Sequence, residues 1–356
     1  MAAIEIIDRG WIDRRDSSFP QAVQLPNGDI LCSFNVGDSG FATGGSDWAR
    51  STDGGATWTV EGTILPMGTD PFSSSLLKLS GSPDGNVIYA YGSRSYRRPD
   101  ERFEDGAHTE PVLCRSMDGG RTWSDPEVIP VPVDCPLEIS HGLLPLSSGR
   151  LLCPAATLPG KDRLGEQVIV TISDNGGHSW PQHAVVFQDP QERLGYFEQK
   201  FAEIAPGRLM AVCWTVTLKD LEDQPDSFAI SDDGGSTWGL ALSTGIYGQT
   251  MTPIPLGGDR LLVLYNRRYG EQAIIAALVT FSDQDWTVHL EDILYDAGGD
   301  HKRPEAGLDT SLDELHDFAF GFPTAIRLKD NTFLATHWCK EEGRFGIRWT
   351  KLRLDW

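Results

Sequence analysis

Glu198 lies in the run Tyr196-Phe197-Glu198-Gln199-Lys200-Phe201-Ala202-Glu203-Ile204, and Glu138 lies three residues ahead of His141. Paired carboxyl groups do acid–base work when one is held protonated and the other ionised. Glu198 is the first candidate for one of those roles, and Glu138, Asp38 or Asp317 for the other. His141 suggests a different chemistry. A neutral imidazole can abstract a proton α to a carboxylate while a guanidinium stabilises the charge that develops. A lone His is more often a hydrogen-bonded structural residue, so this reading requires Arg and His to converge in space. Arg15, Arg94, Arg267 and Arg268 could grip an anion bidentately, whereas Arg97 and Arg98 read as charge balance. Tyr196, Trp214, Trp338 and Phe320 could stack on a flat ligand or be ordinary core, and His316 and His337 complete the polar set.

These residues are positioned by a repeat. Ser51-Thr52-Asp53-Gly54-Gly55-Ala56-Thr57-Trp58 recurs as Ser116-Met117-Asp118-Gly119-Gly120-Arg121-Thr122-Trp123. It recurs again as Ser173-Asp174-Asn175-Gly176-Gly177-His178-Ser179-Trp180 and Ser231-Asp232-Asp233-Gly234-Gly235-Ser236-Thr237-Trp238. In Ser-x-Asp-x-Gly-x-x-Trp the Asp accepts N–H groups of its own turn, and Gly takes the positive-φ positions. The Trp folds back as an apolar plug. Each copy therefore reads as a hairpin tip between two strands, and four copies make a repeat that outranks any single motif.

Six units follow, each strand, turn, strand, long loop, strand, box, strand. Their first strands begin near Ser18, Pro71, Leu137, Tyr196, Gln249 and Phe320, and the fifth box has decayed to Phe281-Ser282-Asp283-Gln284-Asp285-Trp286. The sixth unit has room for only three strands, so Ile4-Glu5-Ile6-Ile7 is expected to supply the fourth and close the sheet edge. Helical periodicity shows only weakly, at Leu312–His316.

The chain has 356 residues, 40% hydrophobic and 23% charged, with a net charge of −21. It can bury a substantial core. So acidic a surface disfavours nucleic acid and anionic membranes as partners, since both need clustered Lys and Arg. No apolar span has the length of a membrane helix. No signal peptide is visible, so a cytoplasmic location is expected, or a secreted or periplasmic one if a leader has been removed. Cys32, Cys153 and Cys213 recur in equivalent apolar strands, which fits small core residues better than disulfides. There is no His/Cys ligand spacing, so a structural zinc is not expected; the many Asp side chains leave a bound Ca²⁺ open although no EF-hand-type loop occurs, and no cofactor is expected. Oligomeric state is left open.

The four boxes resemble the Asp-box of the sialidase and BNR-repeat superfamily, whose members are β-propellers. The resemblance implies an all-β, six-bladed propeller of four-stranded antiparallel blades, one domain over 1–356, with a carbohydrate substrate. In that family the boxes lie on the face away from the ligand. The opposite face collects the starts of the first strands (Arg14, Arg15, Asp16, Asp70, Glu138, His141, Tyr196, Glu198, Gln249, His316, Asp317). It also collects the exits of the second strands (Asn35, Asp38, Arg94, Trp214, Arg267, Arg268, His337). Glu198 is similar to the sialidase Glu that assists a Tyr nucleophile, and Tyr196, two residues away, should share its side. Asp38 and Asp47 lie in the loop where sialidases carry their acid/base Asp.

Other sialidase features are missing from this sequence. Ser18 occupies the place of the first-strand Arg, no Arg occurs across Trp214–Thr217 or Gln249–Met251, and Phe320 replaces the Tyr nucleophile. The expectation is a glycoside hydrolase acting on a sugar other than sialic acid, with a uronic-acid-containing glycan as one option. A non-catalytic carbohydrate-binding propeller and a His/Arg polysaccharide lyase stand as alternatives.

Overall fold

A computed structural model describes residues 2–37, 44–96, 108–160, 163–301 and 318–356. Asp38, Arg97, Arg98, His316, Asp317 and the weakly periodic Leu312–His316 lie outside them. The strands form six antiparallel sheets, the blades of a propeller, and no helix occurs among the described residues. The innermost strands are Ser17–Gln24, Phe72–Gly81, Leu137–Glu138 with Leu144–Pro145, Leu194–Ala205, Gln249–Gly257 and Phe320–Arg327. The sixth sheet closes as expected, because Ala3–Asp13 pairs antiparallel with the last strand, Arg344–Asp355. The closing strand is longer than Ile4–Ile7; it covers Arg344–Asp355 and is itself the outer edge of the sixth blade.

Second strands lie between neighbouring blades and are apolar on both faces. Leu151–Thr157 is buried along its whole length, and Leu209 to Trp214 are all sealed. Each fully buried Leu or Val there is worth roughly 1.5–3 kcal/mol. All six cysteines are free, and five of them are buried.

The four turn motifs fold as their residue types dictate. Ser51 Oγ donates to Asp53 Oδ1 (2.8 Å) and accepts from Gly55 N–H (2.9 Å), while Thr57 N–H and Oγ1–H donate to Asp53 at 2.9 and 2.5 Å. The Trp58 indole returns to Gly55 O at 2.9 Å, and Gly54 and Gly55 take φ of 75° and 96°. These bonds hold the Asp53 carboxyl down at about 2.

Arginines tie the second, third and fourth tips to the preceding blade. Arg50 donates to Gly119 O (2.6 Å), Arg115 to Gly177 O (3.1 Å) and Arg150 to Gly234 O (3.1 Å). Ser51→Ala would orphan the buried Gly55 N–H, at a cost of about 1–3 kcal/mol. Each kcal/mol corresponds to roughly 2–4 °C in Tm. Thermal unfolding should show that loss with activity unchanged, because this tip is on the face away from the site described next.

Candidate functional site

Four of the six inner strands begin with the same irregularity. Between Ser18 and Gln21, Phe197 and Lys200, Gln249 and Thr252, and Gly321 and Thr324, two residues face one on the neighbouring strand. The first extra residue of each bulge, Phe19, Glu198, Thr250 and Phe322, has φ of 56°, 51°, 54° and 53°. Left-handed backbone is strained for such side chains and costs about 1–3 kcal/mol per residue. A bulge re-aims side chains beside a site. Here the repeat of it turns Glu198 and Phe322 toward the axis.

The contacts across the axis prove the convergence. Lys200 Nζ of blade four lies 3.3 Å from the ring centroid of Phe322 in blade six, and Lys78 Nζ of blade two lies 5.6 Å from it. Phe19 of blade one meets Phe322 edge-on at 5.2 Å. Blade three interrupts its inner strand between Glu138 and Leu144, and both lysines hold that segment. Lys78 Nζ donates to Ile139 O at 2.5 Å, and Lys200 Nζ donates to Ser140 O. Glu138 accepts from the Ser140 hydroxyl and, at 3.2 Å, from the Glu198 backbone N–H. The Glu198 carboxyl makes no hydrogen bond among the described residues.

Exposure sorts these groups by depth. Lys78 and Lys200 are sealed, at 1% and 0% exposed, while Glu138, Glu198 and His141 are partly buried and keep solvent contact. The result is a well with carboxyl groups at its floor and ammonium groups beneath them. Burial and the neighbouring Glu138 push Glu198 up to about 7. Burial also raises Glu138, but Ser140, both lysines and the Glu198 amide oppose it. The carboxyl with donors is the one that ionises first, so the pair is split into an acid and a carboxylate.

Burial lowers Lys78 to about 8, with Glu138 and Glu198 opposing, and lowers Lys200 well below the usual amine range. The two carboxyl groups and the Phe322 ring face favour the cation at Lys200. Asp226, fully buried, is driven well above the carboxylate range by burial and by the charges of Asp223 and Glu198.

Glu138, His141 and Glu198 lie together. His141 Nδ1 bonds Gly142 O at 2.7 Å, its ring meets Phe201 edge-on at 5.8 Å, and burial lowers it to about 3. The other residues named from sequence go elsewhere. Tyr196 does not share the side of Glu198, because the bulge breaks the alternation; its ring stacks on Phe187 at 5.3 Å and is 3% exposed. Trp214 is sealed, packed on Phe197 at 4.4 Å with its indole N–H on Asp223 at 2.7 Å. His337 is fully buried beside Tyr295, at 4.7 Å, and burial lowers it to about 3.

Arg15 spans Asp13 and Asp47 at 2.7 and 3.1 Å, and Asp47 also accepts from Thr63, which occupies that carboxylate. Arg94 pairs with Glu110 at 2.6 Å on the rim. Arg267 folds onto Glu271 at 2.8 Å, and its neighbour Arg268 turns inward instead. Arg268 is 5% exposed, lies 3.5 Å from the Phe318 ring centroid and 4.7 Å from that of Phe320, and its charge reaches Glu198.

Sequence reasoning misses Lys78 and Lys200, and names Arg268 only together with Arg267. Leu77-Lys78-Leu79 and Gln199-Lys200-Phe201 each carry a lone Lys in a blade's first strand. A cation on the strand nearest the axis has no outward side on which to be solvated, and that was the available signal.

No family model matches this chain. A sialidase of Bacteroides fragilis is 28% identical over 211 residues, which cover 53% of this chain and 36% of that protein. The chain thus spans about a third of the length of that curated relative. A crystal structure of a protein of unknown function from Dyadobacter fermentans matches with a TM-score of 0.78, 22% identity and 99% of both chains. The α-L-arabinanase of Penicillium chrysogenum, solved with arabinobiose, matches with a TM-score of 0.67, 15% identity, and 97% and 98% of the two chains.

Proposed function

We propose that this sialidase-like six-bladed β-propeller is a glycoside hydrolase in which Glu198 is the general acid and Glu138 the ionised partner. The observation that carries the reading is the unequal pair at the floor of the well. Glu138 accepts two protein hydrogen bonds above two buried ammonium groups, while the carboxyl of Glu198 is held protonated near neutrality and open to the well. Glycosidic bond cleavage needs that division: one carboxyl protonates the leaving oxygen as an oxocarbenium-like centre develops, and a carboxylate acts on the other side of the sugar. Arg268, within reach of Glu198, adds positive charge at the wall where leaving-group charge must be neutralised.

A sugar other than sialic acid fits the residues present. Ser18, Thr215 and Gln249 are buried where a carboxylate clamp would need guanidinium groups, and blade six presents Phe320 and Phe322 instead of a phenol nucleophile. The whole-length likeness to an arabinanase makes an α-L-arabinofuranosyl unit the first candidate. Lyase chemistry is disfavoured because His141, lowered to about 3, is a weak base.

The test is product release from arabinan, sialosides and uronate polymers, read by mass and ultraviolet absorbance. New reducing arabinose with sialosides untouched is expected. Free sialic acid, an absorbing unsaturated uronate, or no product with binding intact would each contradict the reading.

A further inference from the structure

On the same face, where the second and third strands of blade six turn, a cavity of about 330 Å³ opens beside the closing N-terminal strand. Trp11 and Phe345 give it aromatic walls, and Arg14 and Arg344 bring two guanidinium groups. Gly346 makes the wall possible: a Cβ there would stand 2.7 Å from Trp11 Cζ3.

The lining carries two guanidinium and two carboxylate groups, and Asp16 accepts from the Phe345 N–H at 3.2 Å, but these groups are not all paired with one another. Glu341 is taken by Arg348 through two bonds of 2.8 Å and by the Tyr295 hydroxyl at 3.3 Å. Glu342 is taken by Arg14 at 3.2 Å. Arg344 is exposed, and its side chain makes no hydrogen bond or ion pair among the described residues. One guanidinium is therefore left over, on a chain whose net charge is −21. So acidic a surface repels anionic ligands at long range, so an anion needs a local cation of this kind to dock.

Aromatic packing separates the cavity from the well on the same face. Phe345 meets Trp338 at 5.6 Å, Trp338 meets Phe19 at 6.3 Å, and Phe19 meets Phe322 at 5.2 Å. Trp338 and Phe322 are each 2% exposed, so this packing is interior and forms the partition between the two openings.

We propose that this rim cavity is a remote subsite for an acidic sugar unit, a uronate whose carboxylate pairs with Arg344 while its apolar C–H face rests on Phe345, the Trp11 ring being covered by Arg14 at 4.7 Å and Arg348 at 4.1 Å. A planar carboxylate matches the guanidinium fork, which a neutral hydroxyl does not. That the ligand is a sugar rests on the hydrolase reading; that it is anionic rests on the unpaired Arg344.

Calorimetric titration of the full chain carrying Glu198→Gln, which should slow turnover of such glycosides about 10²–10⁴-fold, tests the subsite with trigalacturonate and with neutral arabinotriose. Trigalacturonate should bind, and adding Arg344→Gln should weaken it about tenfold with arabinotriose unaffected. Gly346→Ala, which pushes a methyl into Trp11, should weaken trigalacturonate as well. No binding of trigalacturonate, equal binding with and without Arg344, or equal losses for both sugars would overturn the subsite. Because binding is read rather than turnover, these outcomes are independent of whether the central pair hydrolyses anything.

Discussion

Glu198→Gln is expected to lower kcat on an alkyl-linked glycoside by about 10²–10⁴, and at pH 8 to raise the melting temperature. Both effects have one cause. Glutamine keeps the shape of the side chain but has no proton to give the leaving oxygen. It also has no charge to bury. Glu198 holds its proton up to about 7 in the fold, against roughly 4.3 in an unfolded chain. Between those values the folded state binds the extra proton, so stability falls as pH rises through that window. The burial penalty is complete above it and absent below it. The variant should therefore gain roughly 1–3 kcal/mol at pH 8 and nothing near pH 4. Melting curves at the two pH values, read beside turnover, separate this from loss of fold. A variant equally stable at both would show that the carboxyl is not destabilised by its setting.

Lys200→Met should have the second largest effect. Its ammonium lies on the Phe322 ring and holds Ser140 O, which keeps Glu138 in its bonded position. Removing it leaves Lys78 as the only ammonium under two carboxyl groups. Breaking a buried ionic cluster from one side costs about 3–5 kcal/mol. The sign of the pH effect follows from charge: with a cation gone, both carboxyl groups hold their protons more tightly. Both limbs of the kcat/KM profile should then move to higher pH. If Lys200 were only an apolar spacer, the methionine variant would be as stable as the parent and its profile would not move.

The architecture was readable because it is repetitive. Four Ser-x-Asp-x-Gly-x-x-Trp turns, a decayed fifth at Phe281–Trp286 and a three-stranded last unit left one place for the N-terminal strand, and it pairs there. Each signal was local, carried by Gly, Asp and Trp over a few residues. The site is not local. Regular alternation would set Tyr196 and Glu198 on one side, but a bulge at Glu198 sends Tyr196 into the wall between blades.

Nothing in the intrinsic preferences of Glu, Thr or Phe announces a positive φ. The strain is imposed by neighbours that are distant in sequence. A trace of it was visible in Ser18-Phe19-Pro20 and Gly321-Phe322-Pro323, matching tripeptides that begin the first and last units. In each, the bulged Phe is followed by a residue that needs no N–H partner. Arg267 and Arg268 were indistinguishable for a similar reason: adjacent residues face opposite ways, and only the hairpin to Glu271 decides which one turns inward.

The assignment of Glu198 as proton donor is tested most directly with a series of glycosides of one sugar whose leaving groups differ in acidity. Wild type and Glu198→Gln are compared on each. A leaving group that departs without a proton gains nothing from an acid. The variant should therefore stay within about tenfold of wild type on the most acidic leaving group and fall about 10²–10⁴ behind on an alkyl one. A loss of the same size across the whole series would contradict the account, because it would show that Glu198 holds the sugar without delivering the proton.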